Sequence, residues 1–224
     1  MGKNINIPTD GIQCIGAYVA EPSDKPKGGI VVIQEIFGVN AHVRSVADRF
    51  AAAGYTAIAP AFFDHLETGL ELDYTDEGMR QGRQWVTELG LDRAVKDVAG
   101  AAEAIASAGK IGTVGYCWGG TVALLCAIRL SLPSVSYYGA RNVPFLDEKA
   151  KAPVMFHFGE EDSSIPPQMV AKHREMLPQM DVHTYASAGH AFNRDIDPNH
   201  YHEASAKLAW QRTLAFFDTY LGNT

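Results

Sequence analysis

The twenty residues 110–129, KIGTVGYCWGGTVALLCAIR, decide the fold of this chain. They open with a short apolar run that is typical of a buried strand, and from Thr121 onward they have the length and composition of a helix. Between the two lies GYCWGG, in which Cys117 takes the central position of a Gly-x-nucleophile-x-Gly turn. The flanking glycines are needed because a side chain there would clash with neighbouring backbone in so sharp a turn. The pattern predicts a Cys117 thiolate at a helix N-terminus, and a buried structural cysteine is the alternative.

Length and composition favour one globular domain, which we expect to span 1–224. The chain is 46% hydrophobic and 20% charged, which is enough for a sizeable core. Its net charge is −7 without a basic block, which disfavours nucleic acid as a partner. We find neither a run of ~18 apolar residues that could span a membrane nor the apolar core of a signal peptide. The three cysteines show no disulfide spacing, so we expect a cytoplasmic protein, and we expect it to be a monomer.

Short apolar runs alternate with segments of helical length, which indicates an α/β fold whose central sheet is mainly parallel, with helices on both faces. Residues 12–20 partly alternate and are expected to form an antiparallel edge strand. The other predicted strands cover 29–34, 55–60, the apolar first part of 110–129, 134–139, 153–159 and 182–187. Helices are predicted after Asn40 and at 77–89, 91–108, 121–129, 166–176 and 200–221, the last burying Leu208, Leu214, Phe217 and Leu221. The segment 61–90 begins with an acidic stretch without periodicity, which we interpret as a loop or partial lid over the site.

Three side chains capable of catalysis follow three different predicted strands. Cys117, Asp162 and His190 each come directly after a strand, in the order nucleophile, acid, histidine. The carboxyl ends of parallel strands meet at one edge of a sheet, so these side chains are expected to lie together. A histidine can take the proton from sulfur, and an acid can hold the imidazole in the required orientation. Each residue alone is a weak signal, but the set predicts a catalytic triad.

Five stretches of the sequence resemble the dienelactone hydrolase (carboxymethylenebutenolidase) family of α/β-hydrolases. They are QEIFGVN at 34–40, GYCWGG at 115–120, YYG at 137–139, GEED at 159–162 and GHAFNR at 189–194. The similarity extends from about 11 to 221. The resemblance implies an α/β-hydrolase fold and an enzyme that cleaves carboxylic ester bonds without a cofactor or a metal.

The resemblance also implies roles for residues beyond the triad. Glu35 matches a fourth carboxylate that lies beside the thiol and switches it between a protected form and an attacking thiolate. The backbone N–H groups of Ile36 and Trp118 are expected to form the oxyanion hole. Arg194 matches an arginine that binds the substrate carboxylate, and the sequence therefore predicts a small anionic ester or lactone as substrate.

Two further positions are matched less directly. A second arginine of the family lies in the helix after the loop, where both Arg80 and Arg83 are candidates. A family tyrosine in that helix has no match within 79–85. Tyr138 is expected to line the site. Because this tyrosine is missing, other small activated esters remain alternative substrates to a dienelactone.

The predicted reaction is acyl transfer to the Cys117 thiolate, followed by hydrolysis of the thioester by water that His190 activates. A cysteine-elbow glutamine amidotransferase is disfavoured, because His190 lies 73 positions after the cysteine with Asp162 between them. A non-catalytic binding protein of the same fold is another alternative. His200, His202 and Glu203 look like metal ligands, but a solvated helix start explains them better.

Overall fold

A computed structural model describes residues 2–9 and 14–222. Its eight strands are β1 (Lys3–Pro8), β2 (Cys14–Ala20), β3 (Gly29–Ile33), β4 (Thr56–Pro60), β5 (Ile111–Tyr116), β6 (Ser134–Tyr137), β7 (Val154–Gly159) and β8 (Asp181–Tyr185). They form one sheet in the order β1-β2-β4-β3-β5-β6-β7-β8. The strands from β4 through β8 in this order are parallel, and β2 and β1 continue the sheet antiparallel. The predicted mainly parallel sheet is confirmed.

The predicted edge position of the strand at 12–20 is wrong. β2 pairs with β4 on one side and with the whole of β1 on the other, from Lys3 opposite Val19 to Pro8 opposite Cys14. β1 escaped prediction because most of its residues are exposed, as expected for the true edge of a sheet. Residues 12 and 13 of the predicted strand lie outside the described part of the chain.

Within residues 2–9 and 14–222, six α-helices connect or follow the strands. They are α1 (Ala41–Ala52), α2 (Asp76–Leu89), α3 (Leu91–Ala104), α4 (Trp118–Arg129), α5 (Pro167–Met176) and α6 (Glu203–Leu221). The predicted cap of α1 is confirmed, because the Asn40 side chain accepts a hydrogen bond from the N–H of Val43. None of these helices, within the described residues, is long and apolar enough to cross a membrane.

The helices lie on both faces of the sheet. A Cβ added to Gly112 in β5 would meet the ring of Phe217 in α6. Gly29 in β3 pairs with Ile111, the neighbour of Gly112 in β5, and a Cβ added to Gly29 would meet Ile105 at the end of α3. Paired residues of adjacent strands point to the same face of a sheet, and neighbouring residues of one strand point to opposite faces. α6 and α3 therefore cover opposite faces of the sheet.

Several helix predictions need correction. α3 ends at Ala104 rather than at 108, and α6 begins at Glu203 rather than at His200. α4 begins at Trp118 rather than at Thr121, so the helix follows the nucleophile without a gap. Leu208 in α6 is 42% exposed, whereas Phe217 and Leu221 are buried as predicted. The buried stripe of α6 consists of Ser205, Ala206, Ala209, Thr213, Phe216, Phe217 and Leu221. Leu208 lies about 200° around the helix from Ala206 and therefore faces away from the sheet.

Candidate active site

The turn between β5 and α4 holds Cys117 in a backbone conformation that few non-glycine residues adopt. Cys117 has φ 55° and ψ −116°. The turn is this tight because its glycines touch backbone: a Cβ on Gly115 would lie 1.8 Å from the carbonyl oxygen of Gly119, and one on Gly119 would lie 2.4 Å from that of Gln34. The conformation places the sulfur directly before α4, where the helix dipole favours negative charge.

The side chains of Cys117, His190 and Asp162 form a continuous hydrogen-bonded chain. The distance from His190 Nε2 to Cys117 Sγ is 3.1 Å, and the distance from His190 Nδ1 to Asp162 Oδ2 is 2.7 Å. The Asp162 side chain is fully buried, while the His190 side chain is 27% exposed. Asp162 is itself fixed by an N–H of Ser164, which donates to Oδ1 over 2.8 Å. The three residues that sequence analysis selected from separate strand ends therefore lie together.

The surroundings of His190 favour its protonated form. Burial disfavours the charged imidazole, but the negative charge of Cys117 and the hydrogen bonds to Asp162 and Cys117 outweigh it and raise the pKa of His190 to about 10. A protonated imidazole carries hydrogen on both ring nitrogens, so it is able to donate to Asp162 through Nδ1 and to the sulfur through Nε2.

A cavity of about 240 Å³ opens above the sulfur. Its lining includes Cys117 and His190 of the triad and both residues expected to form the oxyanion hole, Ile36 and Trp118. Trp118 is the first residue of α4, so its N–H is one of those that a helix leaves without an intrahelical partner. The remaining walls come from Phe37, Met79, Arg83, Val86, Thr121, Ala140, Arg141, Ser164 and Arg194.

Glu35 and Arg194 form a buried ion pair beside this cavity. Nε and Nη2 of Arg194 each donate to one carboxylate oxygen of Glu35 over 3.0 Å, and Nη1 donates to Asp197 over 3.0 Å. Glu35 is 1% and Arg194 6% exposed. Burial opposes the charge of Arg194, but Glu35 holds its pKa above the ordinary range. In this structure Glu35 bonds to Arg194, and Arg194 bonds to two carboxylates, while the roles expected of the two residues in the reaction stay predictions.

The two arginine candidates in α2 differ in their position relative to the cavity. Arg83 lines the cavity. Arg80 does not, since its side chain is 66% exposed and pairs with Glu77 one turn earlier in the same helix. Of the two alternatives, the structure therefore favours Arg83, and its contact with substrate stays a prediction. The two arginines are three positions apart in α2, but the cavity lies against the side of the helix that also carries Met79 and Val86.

Tyr138 lies beneath the triad rather than in the lining of the cavity. It is fully buried, and its ring centroid is 5.1 Å from that of His190. Burial and the nearby Glu35 raise its pKa well above the ordinary value, so the phenol stays protonated. Tyr138 was expected to line the site, and in the structure it packs against the imidazole instead of lining the cavity.

Tyr74 is a neighbour of the site that sequence reasoning missed. Its ring centroid lies 4.2 Å from the guanidinium carbon of Arg194, and its hydroxyl accepts a hydrogen bond from the Asn40 side chain over 2.9 Å. Phe37 contacts the same guanidinium group, since its ring centroid lies 5.1 Å from the guanidinium carbon of Arg194. The available signal was a single tyrosine in an otherwise acidic loop.

The loop at 61–75 does not line the cavity. Its Leu72 donates an N–H to the carbonyl of Phe37, and Phe62 packs edge-on against Trp118. Of the predicted lid segment 61–90, it is α2 that provides a wall of the cavity, while the loop holds Arg194 and Phe37 in place.

The candidate metal ligands near α6 have separate partners. His200 bonds to Asp197, His202 bonds to Ser205 at the start of the helix, and Glu203 pairs with Lys207. In the described part of the chain, no three His, Cys, Asp or Glu side chains lie together in a way that could hold a metal ion.

Comparison with known proteins decides the family. Residues 15–221 match the sequence model of the dienelactone hydrolase family. The chain belongs to this family. It is 33% identical to the carboxymethylenebutenolidase of Pseudomonas putida over 229 residues, which cover 96% of this chain and 95% of that protein. The match confirms the resemblance seen in the sequence motifs.

Solved structures agree with the assignment to the dienelactone hydrolase family. A candidate dienelactone hydrolase from Klebsiella pneumoniae is 31% identical, with a TM-score of 0.87 over 98% of this chain and 99% of that one. The dienelactone hydrolase-like promiscuous phosphotriesterase P91 from metagenomic libraries is 18% identical, with a TM-score of 0.78 and 99% of both chains covered, and shares the fold. The protein is accordingly a hydrolase that acts on carboxylic ester bonds, lactones included.

Proposed function

We propose that this hydrolase cleaves small activated esters and lactones, dienelactone-type enol lactones foremost, through a thioester on Cys117. The observation that carries the proposal is the 3.1 Å contact between the sulfur and an imidazole that Asp162 orients from the other side. This arrangement has the nucleophile, base and orienting acid of a covalent acyl-transfer site.

In the first step the Cys117 thiolate attacks the ester carbonyl carbon, and the carbonyl oxygen becomes negative. The N–H groups of Ile36 and Trp118 stabilise that oxygen. The intermediate then collapses, the bond to the alkoxide or enolate breaks, and His190 gives its proton to the leaving oxygen. Thiolate is itself a good leaving group, so the step favours substrates whose alcohol part is stabilised, as an enolate is.

In the second step water cleaves the thioester. The negative charge of Cys117, which raises the pKa of His190, disappears when the sulfur is acylated. The imidazole, now without its proton, can accept one from water, and hydroxide adds to the thioester carbon. Release of the carboxylic acid returns the thiolate and the imidazolium. One histidine thus serves as acid and then as base because the charge beside it changes.

The substrate class follows from the cavity and the relatives. A cavity of about 240 Å³ is smaller than the pockets that hold drug-sized ligands, so a small molecule fits best. Proteins 33% identical to this one carry the name carboxymethylenebutenolidase. A general carboxylesterase acting on neutral esters is the second candidate, because Arg194, the arginine expected to bind a substrate carboxylate, is paired with Glu35.

Hydrolysis of a dienelactone and of p-nitrophenyl acetate, by the wild type and by Cys117→Ala, tests the proposal. Fast turnover of the lactone that the substitution abolishes supports the full assignment. Cys117-dependent turnover of the neutral ester alone would support a cysteine esterase and would exclude the dienelactone as a substrate. If neither substrate is turned over in a manner that depends on Cys117, the mechanism is wrong and a binding protein becomes the better interpretation.

A further inference from the structure

Two arginines of the active-site cavity are free to bind an anion. Arg83 and Arg141 both line the cavity that contains Cys117. Both side chains are exposed, and no hydrogen bond or ion pair joins either guanidinium to another residue within 2–9 and 14–222. Arg194 lines the same cavity, but Glu35 and Asp197 already balance its charge. Arg141 was not anticipated from the sequence.

The charge of the cavity is opposite to that of the chain. The net charge of the protein is −7, yet the described residues that line this cavity include three arginines and no aspartate or glutamate. Arg80, in the same helix as Arg83, pairs with Glu77 one helical turn away, whereas Arg83 and Arg141 have no carboxylate partner among the described residues. Unpaired guanidinium groups beside a nucleophile are able to bind carboxylates of a substrate through two N–H groups each.

The two free arginines approach Cys117 from opposite sides. Arg83 follows Gly82, whose missing side chain lets α2 rest against the Ile36 carbonyl after β3, since a Cβ there would lie 2.0 Å from that oxygen. Arg141 follows β6, and its N–H donates to the Thr121 hydroxyl of α4 over 3.3 Å. In the sheet, β5 lies between β3 and β6. The sulfur at the end of β5 is therefore flanked by one arginine on each side.

We infer that Arg83 and Arg141 bind two anionic groups, one on each side of the scissile bond, and that the site prefers a small dianionic ester or lactone. The inference rests on the proposed function, because the scissile bond is placed by Cys117. A dienelactone-type ring with one carboxylate engages one of the two arginines, and a second carboxylate on the same molecule engages the other. Each guanidinium can hold its carboxylate through two N–H groups.

Binding of a matched series of small molecules tests the inference without turnover. Glutarate carries two carboxylates, glutaramate replaces one by an amide, and glutaramide is neutral at similar size. Calorimetric titration at constant ionic strength is performed with the wild type, Arg83→Gln, Arg141→Gln and Arg93→Gln. Arg93 is an exposed arginine of α3 outside the cavity and serves as the matched control.

We expect the wild type to bind glutarate about tenfold more tightly than glutaramate, the effect of one charge-assisted contact. Arg83→Gln and Arg141→Gln should each remove this advantage, and Arg93→Gln should keep it. The unliganded variants should keep the Tm of the wild type, because both side chains are exposed. Equal binding of glutarate and glutaramate by the wild type, or an unchanged preference in Arg141→Gln, overturns the inference.

The same titration on Cys117→Ala separates this inference from the proposed function. If Cys117→Ala keeps the preference for glutarate and loses esterase activity, both stand. If it keeps esterase activity, the nucleophile has been misassigned, and the placement of the scissile bond between the two arginines falls with it. If activity is lost as expected but no variant changes dianion binding, only the inference about Arg83 and Arg141 fails.

Discussion

At the scale of residues, we predict opposite pH responses for the two chemical steps. Acylation needs the proton on His190, so its rate should stay level up to about pH 10, the raised pKa, and fall above it. Hydrolysis of the thioester needs the neutral imidazole. Without the charge on sulfur the pKa returns toward the ordinary value of about 6.5, so this rate should rise through that pH. After rapid mixing with p-nitrophenyl acetate, acylation is measured as the initial burst of product and thioester hydrolysis as the steady rate that follows.

Asp162→Asn provides the control for this pH experiment. It removes one of the causes that raise the pKa of His190, so the upper limit of the burst phase should move to lower pH. A burst whose rate rises through pH 6.5 in the wild type would contradict the proposed proton position.

The three triad positions could be predicted from the sequence. Cys117, Asp162 and His190 each follow an apolar strand directly, and strand ends can be located from runs of apolar residues. The pairing of Arg194 with Glu35 could not be predicted, because the two residues are 159 positions apart and their contact depends on the path of two loops. The motif resemblance indicated which residues surround the sulfur but not which of them bond to one another.

At the scale of elements, periodicity predicted most of the sheet and helices but not their part in the site. The buried strands and the cap of α1 follow from local sequence, because apolar runs and a capping Asn40 act over a few residues. β1 was missed because an exposed edge strand lacks an apolar run. The role of α2 as a cavity wall could not be foreseen, since it depends on Gly82 meeting the carbonyl of Ile36 across a gap in sequence.

Two helix glycines allow this contact of α2 to be tested. A Cβ on Gly82 would lie 2.0 Å from the Ile36 oxygen, and one on Gly100 in α3 would lie 2.5 Å from the Pro8 oxygen, far from the cavity in the sheet order. Replacing either by alanine forces a helix outward, so both variants should lose about 1–3 kcal/mol of unfolding free energy.

Only Gly82→Ala should also lower kcat, by at least about tenfold, because it displaces Arg83 and the oxyanion-hole backbone of Ile36. Urea unfolding and ester hydrolysis measure the two effects. A similar fall of kcat in Gly100→Ala would show that the loss reflects stability in general and not the placement of α2.

At the scale of the whole molecule, the buried ion pair between Glu35 and Arg194 lies beside the cavity and also contributes to the stability of the fold. Glu35 follows β3 and Arg194 follows β8, so their contact joins strand ends that three other strands separate in the sheet. Breaking a buried pair by changing one partner leaves the other without compensation. Asp197 keeps one contact to Arg194 and reduces the loss.

Glu35→Gln should therefore lower the free energy of unfolding by roughly 3 kcal/mol, the low end for a broken buried pair. Equilibrium denaturation at pH 7 measures the change. Glu77→Gln is the control, because it breaks an exposed pair with Arg80 and should produce no measurable change. Equal stability of Glu35→Gln and the wild type would mean that the pair does not persist in solution.

The central claim is that Cys117 carries the acyl group during turnover. The most direct measurement is mass spectrometry of protein quenched in acid during hydrolysis of p-nitrophenyl acetate, followed by peptide mapping. We predict an acetyl group on the peptide that contains Cys117, with the exposed Cys14 and the buried Cys126 unmodified. The adduct should be absent in Cys117→Ala. Full ester hydrolysis by Cys117→Ala, with no acyl group on any cysteine of the wild type, would contradict the account.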